Sequence, residues 1–248
     1  MMITLGPILF GAMGLPDVRY PDGTEIGPQL TLRQGLDLFA GVRPIRAVPG
    51  APLALADSRA EAIDFVIVRE QSEGWFFGRY HPEKIPSAGA DEAYDLGRVT
   101  RHGSERLFRF AFELAQTRSH RANRQARVTC VDKSNVHRGQ AFMLSIFKEV
   151  AQSFPQVQAD QCYVDAMALY FVKQPWLYDV LPTENQFGDI LSDLVAAFGG
   201  GLGLAPSLNL GVLAAIAEPV HGSAPDIAGQ GIANPLAAIL SAAMLLRI

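Results

Sequence analysis

Short apolar runs that alternate with amphipathic stretches of helical period constrain this chain more than any other feature. Ala62–Val68 (AIDFVIV), Ala126–Val131 (ARVTCV) and Tyr178–Pro182 (YDVLP) have the continuous apolar character of strands buried on both faces. Ser104–Gln116 places Leu107, Phe110, Ala111 and Leu114 at helical spacing, with Ser104 marking the entry, and Gln140–Phe154 is a second amphipathic helix that stops before Pro155. Strands separated by helices predict an α/β chain. Gly78–Val99, polar and interrupted by prolines and glycines, reads as a loop or an extended arm.

Composition narrows the class. Hydrophobic residues make up 49% and charged residues 19% of the 248, which excludes a disordered chain. The net charge of −4, with no sustained basic stripe, argues against a nucleic-acid partner. Leu236–Leu246 is too short to span a bilayer, and Leu194–Ala217 is broken by glycines, Pro206 and Asn209, so no membrane segment is expected. The N-terminus lacks the basic region of a secretion signal. Cys130 and Cys162 have neither CxxC nor zinc spacing and are expected to be buried, reduced thiols of a cytoplasmic protein.

Thr183–Asp193 (TENQFGDILSD) is the segment richest in chemistry. Gly188 would free the backbone before a helix that sets Asp189 and Asp193 four residues apart on one face. Two carboxylates repel there, and a hard cation such as Mg²⁺ or Mn²⁺ would neutralise them; a solvated acidic face is the alternative. Lys133, in VDKSN, follows an apolar strand where α/β proteins place ligands, and a desolvated lysine there can act as a base. Asp165 is an isolated acid beside apolar sequence. Arg33, Arg43 and Arg69 sit in apolar settings, the last two ending strand-like segments. Each could serve a structural ion pair, but three together suggest a pocket for several carboxylates. In Glu218–Pro235 (EPVHGSAPDIAGQGIANP), small residues let backbone approach a ligand, and Asp226 offers an acceptor to ribose hydroxyls. There is no GxGxxG, so a Rossmann site is not supported.

TENQFGDILSD, VDKSNV and EPVHGSAPDIAG-GIANP occur in the order found in the β-decarboxylating dehydrogenases, and the chain resembles this isopropylmalate/isocitrate dehydrogenase family over nearly its whole length. The resemblance implies a two-domain isopropylmalate-dehydrogenase-like α/β fold distinct from the Rossmann fold. Residues 1–38 and 200–248 would be the nucleotide-binding domain, itself incomplete, and 39–199 a second domain with a dimerisation arm. It implies NAD-dependent, divalent-metal oxidative decarboxylation of a 2-hydroxy di- or tricarboxylate by a homodimer. Asp189 and Asp193 would bind Mg²⁺ or Mn²⁺ with Asp165 from the partner, and Lys133, also from the partner, would be the base. Arg33, Arg43 and Arg69 would clamp carboxylates. Asn135 would lie near the nicotinamide, with Glu218, His221, Gly222, Ser223, Ala224, Asp226 and Asn234 holding the dinucleotide.

The chain departs from the family pattern in three places. Phe76 stands where the family has a tyrosine that protonates the enol carbon, and Gln29 makes more polar a pocket in which isopropylmalate enzymes carry a glutamate and two leucines. The family's first strands, its N-terminal glycine loop and its last strand–helix segment have no counterpart here. Residues 1–14 match an internal strand, so exposed sheet edges prone to association are expected. An isopropylmalate dehydrogenase is the reading favoured by the motifs; tartrate or D-malate dehydrogenase is favoured by Phe76 and Gln29. A truncated, catalytically inactive dimerising paralogue is the reading from another class.

Overall fold

The computed structural model describes residues 6–51, 53–87, 89 and 91–247. Its strands are β1 (Ile8–Leu9), β2 (Ala40–Arg46), β3 (Asp64–Glu70), β4 (Arg127–Asp132), β5 (Gln158–Tyr163), β6 (Val180–Thr183), β7 (Pro206–Leu210) and β8 (Ala215–Pro219). They form one sheet in the order β1-β8-β7-β2-β3-β6-β4-β5. β3, β6, β4 and β5 run parallel, so their carboxyl ends share one edge, while β2 is antiparallel to both β3 and β7. The fold is thus mixed α/β, as expected, and β2 pairs with β7 to join early and late strands in one sheet.

The period of two along the strands sorts the core into two layers. Val66 and Val68 of β3 with Val128 and Cys130 of β4 face α3 (Arg101–Ala122) and α4 (Arg138–Ala151), packing on Leu107, Phe108, Phe112, Ile146 and Phe147. Phe65 and Ile67 of β3 with Val131 and Leu181 face the other way, onto Met167 and Phe171 of α5 (Val164–Lys173) and Leu191 and Val195 of α6 (Asn185–Ala196). Arg43 stands opposite Ile67 in the β2–β3 ladder and Arg69 lies two residues beyond. The same alternation therefore points both arginines at α6. α7 (Leu236–Leu245) is the helix suggested by the last apolar run, and α1 (Pro28–Gly35) and a one-turn α2 (Phe77–Tyr80) complete the set used below.

Several expectations shift. α3 begins at Arg101 because Thr100 is its N-cap, accepting from Gly103 N at 3.0 Å, so Ser104 is an interior residue. Arg43 lies mid-strand. Leu194–Ala217 contains the end of α6, β7 and the start of β8, its glycines serving the turns between. Residues 88 and 90 of Gly78–Val99 lie outside the described ones. The rest starts within α2 and its far end returns to its start, Gly74 and Arg98 exchanging backbone hydrogen bonds of 2.8 and 3.1 Å and Gly78 N donating to Leu96 O at 2.9 Å. Cys130 and Cys162 are both free thiols, but only Cys130 is buried; Cys162 is partly exposed because β5 is an edge strand. Among the described residues no helix is long and apolar enough to cross a membrane.

Candidate active site

α1 begins with Pro28, whose fixed φ suits the first helical turn. It separates two clefts. Gln29 and Arg33 face a cleft of about 190 Å³ shared with Arg43, Glu218, His221 and Gly222. Leu30, Thr31 and Gln34 face a larger one of about 630 Å³, walled across from them by Trp75, Phe76 and Tyr80. All three arginines are buried. Arg33 donates to Glu218 Oε1 at 2.6 Å, and Arg43 donates to Ser192 Oγ at 2.5 Å. Arg69 donates through Nε to Asn185 Oδ1 at 2.9 Å and through its terminal nitrogen to Asp189.

The expected carboxylate pair sits on α6 and points at these cations. Arg43 NH1 lies 3.6 Å from Asp189 and 3.8 Å from Asp193. The two acid side chains are still 45% and 59% exposed. Burial, then the nearby Arg43 charge, pushes Arg69 down to about 9, so it stays cationic at neutral pH but strained for charge. Burial pushes the Asp193 carboxyl up while Arg43 pulls it down. Buried Nε atoms of Arg33 and Arg43, and the amide oxygen of Gln29, have no hydrogen-bond partner. Unmet donors beside crowded positive charge suit a carboxylate ligand.

Gly188 has a role other than the one expected. It lies inside α6, not before it, and a Cβ there would sit 2.7 Å from Arg69 Cγ. Its missing side chain is what lets Arg69 cross the helix.

Lys133 and Asp165 form a second cluster at the ends of the paired strands β4 and β5, with Nζ 2.6 Å from Oδ1. The Lys133 hydrogen bond holds the Asp165 carboxyl below its usual range. Asn135 is exposed in the turn that follows. Among the described residues no hydrogen bond or ion pair joins this cluster to Asp189 and Asp193, and no three acids, histidines or cysteines are grouped to hold a metal. Asp189 and Asp193 offer carboxylate oxygens of the hard type that Mg²⁺ or Mn²⁺ prefers.

The glycine-rich segment forms an open loop. Ser223, Ala224, Asp226 and Asn234 are exposed, and Ala224 takes left-handed backbone at φ 47°. His221 borders the smaller cleft, its Nδ1 2.9 Å from Gly222 O, and Asn234 Oδ1 accepts from Leu236 N at the start of α7. Several of its amides donate within the loop, Ile227 N to Ala224 O at 3.1 Å and Ala228 N to Pro225 O at 3.3 Å, while the Asp226 side chain stays exposed. Glu218 is different: it is buried, accepts from Arg33 and from Asn209 Nδ2 at 2.8 Å, and joins the arginine cluster to the loop.

Sequence reasoning passed over Ser192, Asn185, Glu184 and Glu70. Glu70 is buried, accepting from Ser72 N at 2.8 Å and Glu73 N at 2.8 Å, and burial, with Glu73 adding, pushes it up to about 7. A carboxyl raised on folding contributes stability below its unfolded value that is lost as pH rises toward 7. Glu70→Gln should therefore flatten the fall in unfolding free energy between pH 5 and pH 8, by roughly 3 kcal/mol at most. An unchanged slope in denaturant titrations at the two pH values would show that Glu70 ionises freely.

The α/β sheet thus sets buried Arg43 and Arg69 against the paired carboxylates of α6, with Arg33 held nearby on Glu218. The family model described as isocitrate/isopropylmalate dehydrogenase matches residues 5–248, and the chain belongs to that family. It is 42% identical over 246 residues to the 3-isopropylmalate dehydrogenase of Bacillus licheniformis, covering 97% of this chain and 65% of the relative. It is 44% identical to the homoisocitrate dehydrogenase of Methanocaldococcus jannaschii, covering 96% and 67%. The crystal structure of isocitrate dehydrogenase from Methylococcus capsulatus superposes with a TM-score of 0.81 at 41% identity, covering 96% of this chain and 66% of that one. The chain thus spans about two thirds of the length of these relatives. Near-equal identity to relatives named for three substrates leaves the substrate to the site itself.

Proposed function

We propose that this chain carries out NAD-dependent, divalent-metal oxidative decarboxylation of a 2-hydroxy di- or tricarboxylate, as a cytoplasmic homodimer, most like 3-isopropylmalate dehydrogenase. The observation that carries this reading is that buried Arg43 and Arg69 converge on the Asp189–Asp193 pair, with buried Arg33 lining the same cleft as Arg43. When bound, the cation supplies Lewis acidity toward the substrate hydroxyl and its neighbouring carboxylate, and NAD supplies a hydride acceptor. Arg33, Arg43 and Arg69 bind the carboxylates and orient the hydroxyl-bearing carbon. Lys133 of the partner subunit takes the hydroxyl proton, and Asp165 of the partner subunit completes the ligand set begun by Asp189 and Asp193. Phe76, whose ring centroid lies 5.1 Å from the Arg69 guanidinium carbon, walls the cleft and excludes water but brings no proton.

The second copy is supported by what α5 and α6 leave uncovered. Leu169 and Val172 on α5, and Ile190 and Leu194 on α6, are exposed apolar residues beside the site. A symmetric partner there would cover them and bring its Lys133 and Asp165 across.

A tartrate or D-malate activity is the second reading, favoured by Gln29. Its buried amide oxygen lacks a donor and could accept from a substrate hydroxyl where an isopropyl group would leave it unmet. Turnover of isopropylmalate, tartrate and D-malate with NAD and Mn²⁺, followed by NADH absorbance and released CO₂, decides between the two. No turnover with any of them would favour the inactive dimerising paralogue.

The cofactor choice is tested separately. Asp226 should repel a 2′-phosphate, so NAD is expected to bind at least about tenfold more tightly than NADP in calorimetry, or about 1.4 kcal/mol. Equal or tighter NADP binding would overturn the assignment.

A further inference from the structure

One buried acid beside the cleft takes no part in the chemistry above. Glu184, 2% exposed, sits between β6 and α6 and uses its two oxygens on different elements. Oε2 accepts from Gln186 N at 3.1 Å and Phe187 N at 3.4 Å, closing the start of α6. Oε1 accepts from Trp75 N at 2.8 Å, on a turn 109 residues upstream. Asn185 grips the same turn, its Nδ2 donating to Glu73 O at 2.9 Å while its Oδ1 holds Arg69 Nε.

The turn is shaped to admit the carboxylate. Gly74 lies at φ +74°, and a Cβ there would come 2.0 Å from Glu184 Oε1, so the acid occupies the place of a side chain. Capping alone does not explain a glutamate, since Ser, Thr, Asp and Asn are the favoured N-caps and need less reach. The next residues, Trp75 and Phe76, form one wall of the large cleft, with Gln186 of α6 beside them.

We infer that Glu184 is a positioning residue that latches the Trp75–Phe76 wall to helix α6, fixing the spacing between that wall and Asp189 and Asp193. Its role toward substrate rests on the function proposed above; the latch itself does not. Burial pushes the Glu184 carboxyl up, and the three backbone donors oppose this.

The chain has two tryptophans, so Trp176→Phe leaves Trp75 as the only indole and makes it a reporter. In that background Glu184→Asp keeps a carboxylate able to cap α6 but too short to reach Trp75 N; Glu184→Gln keeps the length and loses the charge. With far-UV dichroism unchanged, Glu184→Asp should shift Trp75 emission to the red and raise acrylamide quenching at least twofold. Unchanged emission and quenching, with only a lower Tm, would make Glu184 a helix cap and overturn the latch. Hydrogen exchange on the Trp176→Phe protein gives a readout that needs no change at Glu184. The Trp75 amide should exchange as slowly as those of Gln186 and Phe187, and exchange at the rate of an open loop would also overturn the latch. Malonate, as a plain dicarboxylate probe, should bind at least fivefold more weakly to Glu184→Asp. If the parent does not bind malonate at all, the arginine-clamp reading fails while the Trp75 readouts still decide the latch.

Discussion

Replacing Asp189 with asparagine is expected to abolish the thermal stabilisation conferred by Mg²⁺ or Mn²⁺ while leaving the fold intact. A ligand that binds only the native state adds about 3 kcal/mol at a hundredfold excess over its Kd, enough to move Tm by several degrees. Asp189 has one arginine bonded to it and another 3.6 Å away, so the variant also loses a partner for Arg69 and should start from a lower metal-free Tm. That loss is bounded because Asp189 is nearly half exposed. The metal-dependent shift is therefore the quantity to compare. If it persists in Asp189→Asn, the cation lies elsewhere. Turnover by the variant should fall together with the shift.

The second large effect concerns chains acting in pairs. Lys133→Ala should lose turnover by about 10²–10⁴-fold, the usual worth of a general base. Asp189→Asn should be comparably inactive. If each site takes Lys133 from one chain and Asp189 from the other, mixing the two variants creates heterodimers in which both lesions fall in one site and the other is whole. Random exchange between twofold-symmetric dimers should then restore about a quarter of the parent activity. The geometry motivates this test, since Lys133 pairs with Asp165 in one cluster and Asp189 with arginines in another. With subunit exchange verified by native mass spectrometry, no recovery would mean that each site is built within one chain.

Much of this protein was legible in its sequence. Continuous apolar runs marked β3, β4 and β6, and period-3.6 patterns marked α3 and α4, because each signal depends on neighbours close along the chain. The four-residue spacing of Asp189 and Asp193 put both on one face of α6 for the same reason. Apolar settings singled out the three arginines, and the motifs named Lys133 and the glycine-rich loop. β5 and α1 carried no comparable local signal, and their places depend on what lies beside them in the fold.

What only the tertiary structure decided is pairing across distance. Arg33 meets Glu218 at a separation of 185 residues, Arg69 meets Asp189 at 120, and Glu184 reaches Trp75 at 109. No periodicity fixes such meetings; they follow from the strand order β2-β3-β6-β4 and from which face of the sheet α6 covers. The same order put β5 at an edge and left Cys162 partly exposed, against the expectation for a thiol. It also turned Gly188 from a point of backbone freedom into a passage for Arg69, because close approach is a property of two elements and the sequence describes them one at a time.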